Sequence, residues 1–452
     1  MLSIFLKGIS NCFKIPELRK KILFTIAIIA VYRVGCFIPT PGINGAALSE
    51  YFRRITEATG GGVFSIMNMF SGGALEKLTL FSLGVMPYIS ASIIMQLLTA
   101  VIPALEKLSK EGQAGYQKIN QYTRYGTLGL SLIQSYFIAL WLQSPESFQG
   151  LQIVNKPGLS FCLMTMITLT CGSILLMWLG EQIQSQGIGN GMSLIITAGI
   201  LSSAPAAMST LYLMLNPKTP GAAQIQPLTL LMMIAFLILV ILGITMITQG
   251  QRRIPVQYAR RMVGKQTMQG QNTFIPLKVD TSGVIAIIFA QSLILFPATL
   301  ASFIPTPFFQ QLSQVLHRGV GWYYALYAFL IVFFCYFYTA IVFNPIDISE
   351  NMKKHGGFIP GVRPGQNTAD YLDFVMTRIT LAGAVFICII AVMPDMIMAS
   401  ARVPYLVASF FGGTGVLICV GVMLDFMKQI ESHLQMHHYE GFMKTGHIRG
   451  RR

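Results

Sequence analysis

The sequence has little charge for its length, and its long apolar runs have almost none. Of 452 residues, 11% are charged and 53% are hydrophobic, with a mean hydropathy of +0.60. Soluble globular domains carry about a quarter charged residues. The shortage of charge excludes an ordinary soluble domain and indicates a membrane protein.

Motifs for the commoner catalytic chemistries are also missing. The sequence contains no HExxH, no GxSxG and no paired intramembrane aspartates, so it shows no machinery for intramembrane proteolysis. VGKQT at 263–267 lacks the spacing of a phosphate loop, and GIGNG at 187–191 favours a tight turn over a dinucleotide site. We predict that the protein is not an enzyme and that any energy it uses comes from a partner.

Cysteine and histidine do not indicate a metal or disulfide framework. The seven cysteines are odd in number and contain no CxxC pair, and most lie in apolar runs. His433, His437 and His438 have the i, i+4 spacing of a helical metal pair, but a solvated tail is the commoner explanation of such spacing. We expect no bound metal and no cofactor.

Ionisable groups inside the apolar runs are rare, which argues against ion-coupled transport. Arg33 is the main exception. It either pairs with a group in a transport pathway or extends its guanidinium from the outer part of the first span to the membrane surface.

Ten apolar stretches are long enough to cross a bilayer as helices. They lie near 22–40, 78–101, 125–143, 158–180, 192–214, 227–248, 283–304, 321–343, 374–394 and 403–424. Most of the 32 Lys and Arg residues fall before the first span, after even-numbered spans and in the C-terminal tail. By the positive-inside rule, both termini are predicted to be cytoplasmic.

Two of the basic connections, 249–280 and 344–378, are long for links between packed spans. Clustered Arg and Lys would suit an acidic or RNA-bearing partner. Positive-inside bias alone would account for the charge, although not for the length.

A short apolar run, 63–70, is flanked by three glycines on its N-terminal side and two on its C-terminal side. As a helix it would cover about 12 Å of a hydrocarbon core about 30 Å thick. The run can therefore enter a bilayer but cannot cross it.

Aliphatic pairs at i, i+4 occur in spans two and five: Val85 with Ile89, and Met192 with Ile196. Such side chains could close a pore by excluding water. Ordinary packing between membrane helices would produce the same spacing.

Several stretches together resemble one family, SecY, the central subunit of the bacterial protein-conducting channel. They occur in order along nearly the whole chain: MFSGGALEKLTLFSLGVMPYISASIIMQLL, YQKINQYTRYGTL, LMWLGEQIQSQGIGNGMSLII, FPATLAS, FYTAIVFNP, GFIPGVRPG and VMTRITL. The resemblance implies an all-α polytopic membrane protein with ten transmembrane helices in two inverted five-helix halves around an hourglass pore.

The implied organisation is a cytoplasmic segment 1–21, an N-terminal half 22–214 containing a plug at 60–73, an external hinge loop 215–226, a C-terminal half 227–424 with cytoplasmic loops 249–280 and 344–373, and a cytoplasmic tail 425–452.

The resemblance also assigns functional residues. It implies a constricting pore ring of Val85, Ile89, Met192, Ile196, Ile288 and Ile418. It implies a plug half-helix of Val63, Phe64, Ser65, Ile66, Met67, Asn68, Met69 and Phe70, hinged at Gly60, Gly61, Gly62, Gly72 and Gly73. Methionine at 192 replaces the more usual isoleucine and would make the seal softer.

A lateral gate is implied between spans two and seven, with Gln96 and Asp280 as polar candidates, although the family often has an amide where Asp280 stands. Arg260, Arg261, Lys265 and Arg363 are implied contacts for a motor or ribosome.

The partners implied are the SecA ATPase or the translating ribosome, SecE, SecG, signal sequences, secretory polypeptides and membrane lipids, with no DNA. The implied location is the bacterial plasma (inner) membrane. The function expected is translocation of unfolded polypeptides and lateral release of transmembrane segments. A secondary solute transporter with broken helices and a scaffold without transport activity are the alternatives.

Overall fold

The structure is a computed structural model. It describes residues 15–59, 63–144, 148, 153–215, 226–258, 261–263, 266–268, 272–303, 308, 311, 315–316, 321–401 and 405–445.

Helices dominate the described chain. In the N-terminal part they are α1 (Pro16–Gly35), α2 (Gly45–Thr59), α3 (Val63–Phe70), α4 (Met86–Val101), α5 (Pro103–Lys110), α6 (Gln113–Gln143), α7 (Leu159–Gln186), α8 (Gly191–Ser202) and α9 (Ala204–Leu215). In the C-terminal part they are α10 (Pro227–Gln249), α11 (Ile285–Phe303), α12 (Gly321–Val342), α13 (Pro345–Lys354), α14 (Gln366–Ala401), α15 (Tyr405–Phe411) and α16 (Thr414–Thr445).

Five described strands lie outside the helical bundle. They are β1 (Gln251–Tyr258), β2 (Arg261–Val263), β3 (Gln266–Met268), β4 (Asn272–Lys278) and β5 (Gly357–Phe358). A three-stranded sheet has the order β4-β1-β5, and β2 pairs with β3 in a second, two-stranded sheet.

Prolines begin several of the helices. α1, α4, α5, α10 and α13 each have proline in the first turn, where its missing N–H costs no hydrogen bond. Between α4 and α5, Ile102 is extended because Pro103 follows it, and the chain bends by 99°. Span two therefore ends there, and α5 runs off at a steep angle.

Each of the ten predicted spans corresponds to a helix or a pair of consecutive helices in the structure. By length and apolarity alone, seven of the described helical segments could cross a membrane, or eight with the bent pair α4 and α5. The apolar stretch of α11 is shorter than that limit, and α1 is not among the seven.

The helices fall into two groups that meet at a few contacts. α1, α4, α6, α7 and α8 pack with one another, and α10, α11, α12, α14 and α16 form the second group. The groups meet where α4 and α6 pack against α11, where α8 packs against α16 and where α9 packs against α15. One large core cluster of buried apolar residues runs through both groups.

The basic connection 249–280 contains the antiparallel ribbon of β1 and β4, which the sequence reading treated only as a long loop. β1 and β4 pair from Gln251 opposite Lys278 to Gln257 opposite Asn272. Ile254, Val256 and Leu277 are buried in a separate small core with residues of α13 and α14. This packing gives the connection a fixed shape and explains its length.

Candidate functional site

A cavity of about 500 Å³ opens between spans of both helix groups. Its walls carry polar side chains from α4, α6, α7 and α8, among them Gln96, Asn120, Gln184 and Asn190. Asn190 also caps α8, because its side chain accepts a hydrogen bond from the Ser193 N–H at 3.3 Å. The GIGNG stretch thus forms the short connection between α7 and α8, as the sequence predicted, with Gly189 at a φ of +93°.

An ion pair strengthens one wall of this cavity. Arg124 of α6 donates from Nε to Glu181 Oε1 at 2.9 Å and from Nη2 to Glu181 Oε2 at 2.7 Å. The paired geometry suits a planar guanidinium and joins α6 to α7. The sequence reading missed this pair, since 57 positions separate the two residues.

The predicted ring residues are all buried and belong to the same core cluster. Their exposed fractions are 3% for Val85, 4% for Ile89, 9% for Met192, 1% for Ile196, 5% for Ile288 and 0% for Ile418. Four of them, Ile89, Met192, Ile196 and Ile288, line the cavity, whereas Val85 and Ile418 do not.

Met192 packs towards the wall of span four. A Cβ placed on Gly180 would lie 2.6 Å from Met192 Sδ, so the thioether occupies the space that this glycine leaves open. The unbranched side chain fits this gap, which a branched isoleucine could not fill in the same way.

The plug residues are mostly buried against both helix groups. α3 packs on α8 and α11. Ile66, Met67, Met69 and Phe70 are less than 9% exposed. Phe64 stacks on Trp141 of α6, with ring centroids 5.5 Å apart.

Polar groups fix the turn after the plug. Asn68 donates from Nδ2 to Glu76 Oε2 at 3.3 Å, and its Oδ1 accepts from the Glu76 N–H at 3.1 Å. The connection from the plug to span two is therefore ordered by its own hydrogen bonds.

Gly72 and Gly73 complete a Schellman-type end to α3. Gly73 N–H donates to the Asn68 carbonyl at 2.8 Å and Gly72 N–H donates to the Met69 carbonyl at 3.2 Å. Gly72 has a φ of +68° and Gly73 a φ of +84°, which favour glycine. The other predicted hinge residues, Gly60, Gly61 and Gly62, lie outside the described residues, and of Val63 only the backbone is described.

Along both α4 and α11, residues that line the cavity, ring residues and residues beside the plug follow one another in this order. On α4, Met86 borders Met67 of the plug, Ile89 follows, and Ser92 and Gln96 face the cavity. On α11 the same order runs in reverse, from Ile285 and Ile288 at the cavity to Ser292 and Leu295 beside Met67. The ring residues on these helices thus lie between the polar cavity and the plug.

α8 shows the same sequence of features, whereas α16 approaches the plug but does not line this cavity. On α8, Asn190 and Ile196 line the cavity, and Gly199 further along lies against the plug. A Cβ on Gly199 would lie 3.1 Å from the Phe70 carbonyl oxygen, and one on Gly415 of α16 would lie 3.7 Å from Met69 Cε.

The predicted gate helices α4 and α11 are in contact in this structure. Ser292 Oγ lies 3.7 Å from Met86 Sδ across the two helices. Gln96 donates to Ser92 Oγ at 3.4 Å within α4 and faces the first cavity.

Asp280 lies in a second cavity of about 370 Å³, where it is near Asp425 of α16. The structure does not bring it into the cavity that Gln96 lines. Its Oδ1 accepts from Gly283 N–H at 2.8 Å and from Ser282 Oγ at 2.9 Å, which fixes the turn into α11. Burial raises the pKa of this carboxyl above its ordinary value, against the lowering effect of those hydrogen bonds, and the Asp425 charge adds to the rise.

The predicted docking residues are only partly described. Arg363 is exposed on the loop between β5 and α14, where Gly361 and Gly365 have φ of +84° and +110°. Its carbonyl accepts from Thr368 Oγ1 at 2.9 Å. Arg260 and Lys265 lie outside the described residues, and Arg261 is described only by its backbone in β2.

Membrane-length helices around a polar cavity, with buried aliphatic side chains and a short helix behind them, define a closed channel of the helical membrane class. The SecY family model matches residues 79–427. The curated protein translocase subunit SecY of Aquifex aeolicus is 45% identical over 98% of this chain and 100% of its own length. That of Escherichia coli K12 is 44% identical, with 96% of each chain covered.

The fold also matches solved channels. A structure described as a protein-conducting channel superposes with a TM-score of 0.63 at 17% identity, covering 94% of this chain and 97% of the other. Sec61 in a canine ribosome-channel complex gives a TM-score of 0.59 at 17% identity, with the same coverage. The chain belongs to the SecY family.

Proposed function

We propose that this chain forms the pore through which unfolded secretory polypeptides cross the membrane and from which transmembrane segments pass sideways into lipid. The observation that carries the proposal is the order of polar cavity, aliphatic residues and plug on α4, α8 and α11. A solute site would need polar ligands at the centre, where this chain has apolar side chains.

In this proposal the six ring residues form the seal around a moving chain. Aliphatic side chains can part and close again without breaking hydrogen bonds, and when closed they exclude water and ions. The plug adds a second barrier, and it leaves when a polypeptide enters.

A signal sequence opens the channel by binding the parted state of α4 and α11 more strongly than the closed state. Gln96 lies on α4 beside the cavity, and Asp280 precedes α11, so both are positioned to respond when these helices separate. We assign Gln96 and Asp280 to the gate on that basis.

The protein is proposed to work as a passive channel and not as an enzyme, so the energy comes from a partner. We assign docking of the SecA motor or the translating ribosome to Arg363 and to the segment containing Arg260, Arg261 and Lys265. Exposed basic side chains on a folded ribbon suit an acidic or RNA surface. SecE is proposed to brace the two halves, and SecG to join them.

We place the protein in the bacterial inner membrane with both termini in the cytoplasm, on the charge distribution of the connections. In this orientation the polar cavity and the β1–β4 ribbon face the cytoplasm, and the plug faces the outside.

Site-specific photocrosslinking tests the proposal. A photoreactive amino acid replaces Ile196 of the ring, or Phe329 of α12, whose side chain is 66% exposed on the outside of the bundle. Each variant then receives a secretory chain stalled in mid-export. Crosslinks from position 196 and not from position 329 are expected.

Equal labelling from both positions, or none from position 196, would contradict the pore assignment. Deletion of residues 60–72 provides a second test, because a channel should then conduct ions at rest and a scaffold should not.

A further inference from the structure

We infer that Arg33 of the first span holds the plug shut by binding the carbonyl at the plug's C-terminal end. The inference rests on the proposed role of α3 as a plug. It assigns a positioning function to Arg33, the main ionisable exception in the predicted apolar spans.

The contact is a hydrogen bond from a side chain to the backbone. Arg33 Nη1 donates to the Gly72 carbonyl at 3.1 Å, although the two residues are 39 positions apart. Tyr32, the neighbouring residue of α1, donates from its hydroxyl to the Ser71 carbonyl at 3.3 Å. Two consecutive carbonyls after α3 thus accept from two consecutive residues of span one.

The charge of Arg33 suits this position. The carbonyl end of a helix carries partial negative charge, and a cation there is stabilising. Within the described part of the chain, no carboxylate lies within 4.0 Å of the Arg33 guanidinium, which also interacts with the Tyr32 hydroxyl and lies 5.8 Å from the centroid of the Phe37 ring. The Gly72 carbonyl is therefore the polar partner that the end of the plug offers this cation.

Close packing makes the contact specific for the seated plug. A Cβ on Gly72 would lie 2.9 Å from Arg33 Nη1, 2.8 Å from the Tyr32 hydroxyl and 3.1 Å from Gly199 Cα of α8. Gly72 therefore fits between spans one and five only because it has no side chain. If the plug leaves, both hydrogen bonds break, and the buried Tyr32 hydroxyl is left without this acceptor, which is costly.

These contacts distinguish Arg33 from an arginine whose side chain only extends to the membrane surface. A side chain that only reached for water would point away from the bundle. Arg33 instead bonds to a backbone atom whose position depends on the plug, so its loss should change how often the plug is seated.

The test measures the resting ionic conductance of the reconstituted full complex, without a translocating substrate. We expect Arg33→Met to raise the resting open fraction about tenfold, which corresponds to 1.4 kcal/mol. Arg33→Lys should give a smaller rise, since a lysine keeps the charge but lacks the planar fork. Tyr32→Phe, which removes only the hydroxyl, should also give a smaller rise.

Lys77→Met is the matched control. Lys77 also lies over the Phe37 ring, at 5.6 Å, but among the described residues it makes no hydrogen bond to the plug backbone. It should conduct like the wild type. A leak from Lys77→Met equal to that from Arg33→Met would overturn the inference, because loss of either cation would then have the same effect.

A covalent tether distinguishes loss of the hydrogen bond between Arg33 and the plug from a general loosening of the helix bundle. Met69 and Ile200 both border Gly415, and cysteines at 69 and 200 can be joined by a short thiol-specific linker. If Arg33 holds the plug, the tether should restore the seal in the Arg33→Met background. A leak that persists with the tether in place would overturn the inference.

Deletion of residues 60–72 separates this inference from the proposed function. If the deletion variant leaks and Arg33→Met does not, the role inferred for Arg33 is wrong and the plug assignment stands. If the deletion variant does not leak, the plug assignment is wrong, and the role inferred for Arg33 is wrong with it.

Discussion

Asp280 shows at the scale of one residue how burial sets a pH dependence. Its raised pKa means that the folded protein binds this proton more tightly than the unfolded chain does. The contribution to stability is therefore greatest at low pH. It is lost as pH rises from the unfolded value of about 3.9 through the higher folded value.

We predict that Asp280→Asn increases the thermal stability of the purified complex at pH 7. An amide keeps the oxygen that accepts from Gly283 and Ser282 but carries no charge next to Asp425. The gain in melting temperature should shrink as the pH approaches 4. A gain that was constant over this range, or a loss at pH 7, would contradict the charge argument.

At the ring, a polar substitution should weaken the seal without unfolding the bundle. Ile196→Asn places an amide at a site that is 1% exposed and borders the cavity. We predict a resting conductance at least tenfold above the wild type in planar bilayers, because a polar side chain lets water enter the constriction. Leu201→Asn, at a position of the same helix that is 48% exposed, should leave the conductance unchanged.

At the scale of elements, side-chain hydrogen bonds hold the backbone of the loop before α14 in place. Ser349 Oγ donates to the Gly365 carbonyl at 2.5 Å, and this bond ties the loop to α13. The backbone of Arg363 is therefore held in place, which would lower the entropy lost on binding the proposed partner.

Charge reversal at this loop should affect docking and leave the pore intact. We predict that Arg363→Glu weakens binding of the motor or ribosome at least tenfold, with stronger loss at low salt. Lys354→Glu is the control, because Lys354 is an exposed basic residue of the adjacent helix α13. Equal losses in both variants would indicate general electrostatics and not a specific contact.

The ribbon of β1 and β4 could have been anticipated from its sequence pattern. Ile254 and Val256 alternate with polar or exposed residues, which is the period of a half-buried strand. β4 follows β1 within the same connection, but the helices that bury this face, α13 and α14, lie far along the chain, so the sequence pattern alone did not define the packed sheet.

At the scale of the whole molecule, α4 and α11 are in contact across the two helix groups. Met86 and Ser292 are 206 positions apart yet meet at 3.7 Å. α11 also contains Pro297, which removes a helix hydrogen bond and allows bending near this contact.

We predict that linking positions 86 and 292 blocks transport. With both replaced by cysteine in a background free of other cysteines, a short thiol-specific linker should abolish translocation and lateral release. The matched control links positions 135 and 170, whose hydroxyls lie 3.3 Å apart between α6 and α7 of one helix group. Because that contact is within one group, translocation should continue, and equal inhibition would contradict a gate between α4 and α11.

The sequence by itself determined the membrane class, the ten spans and the short plug helix, because each depends on local runs of apolar residues and on glycine and proline at their ends. The family resemblance supplied the ring positions. Only the tertiary structure decided that Arg33 contacts Gly72, that Arg124 pairs with Glu181, and that Asp280 and Gln96 line separate cavities. Those relations join residues distant in the chain, and they arise when helices pack, which no local pattern encodes.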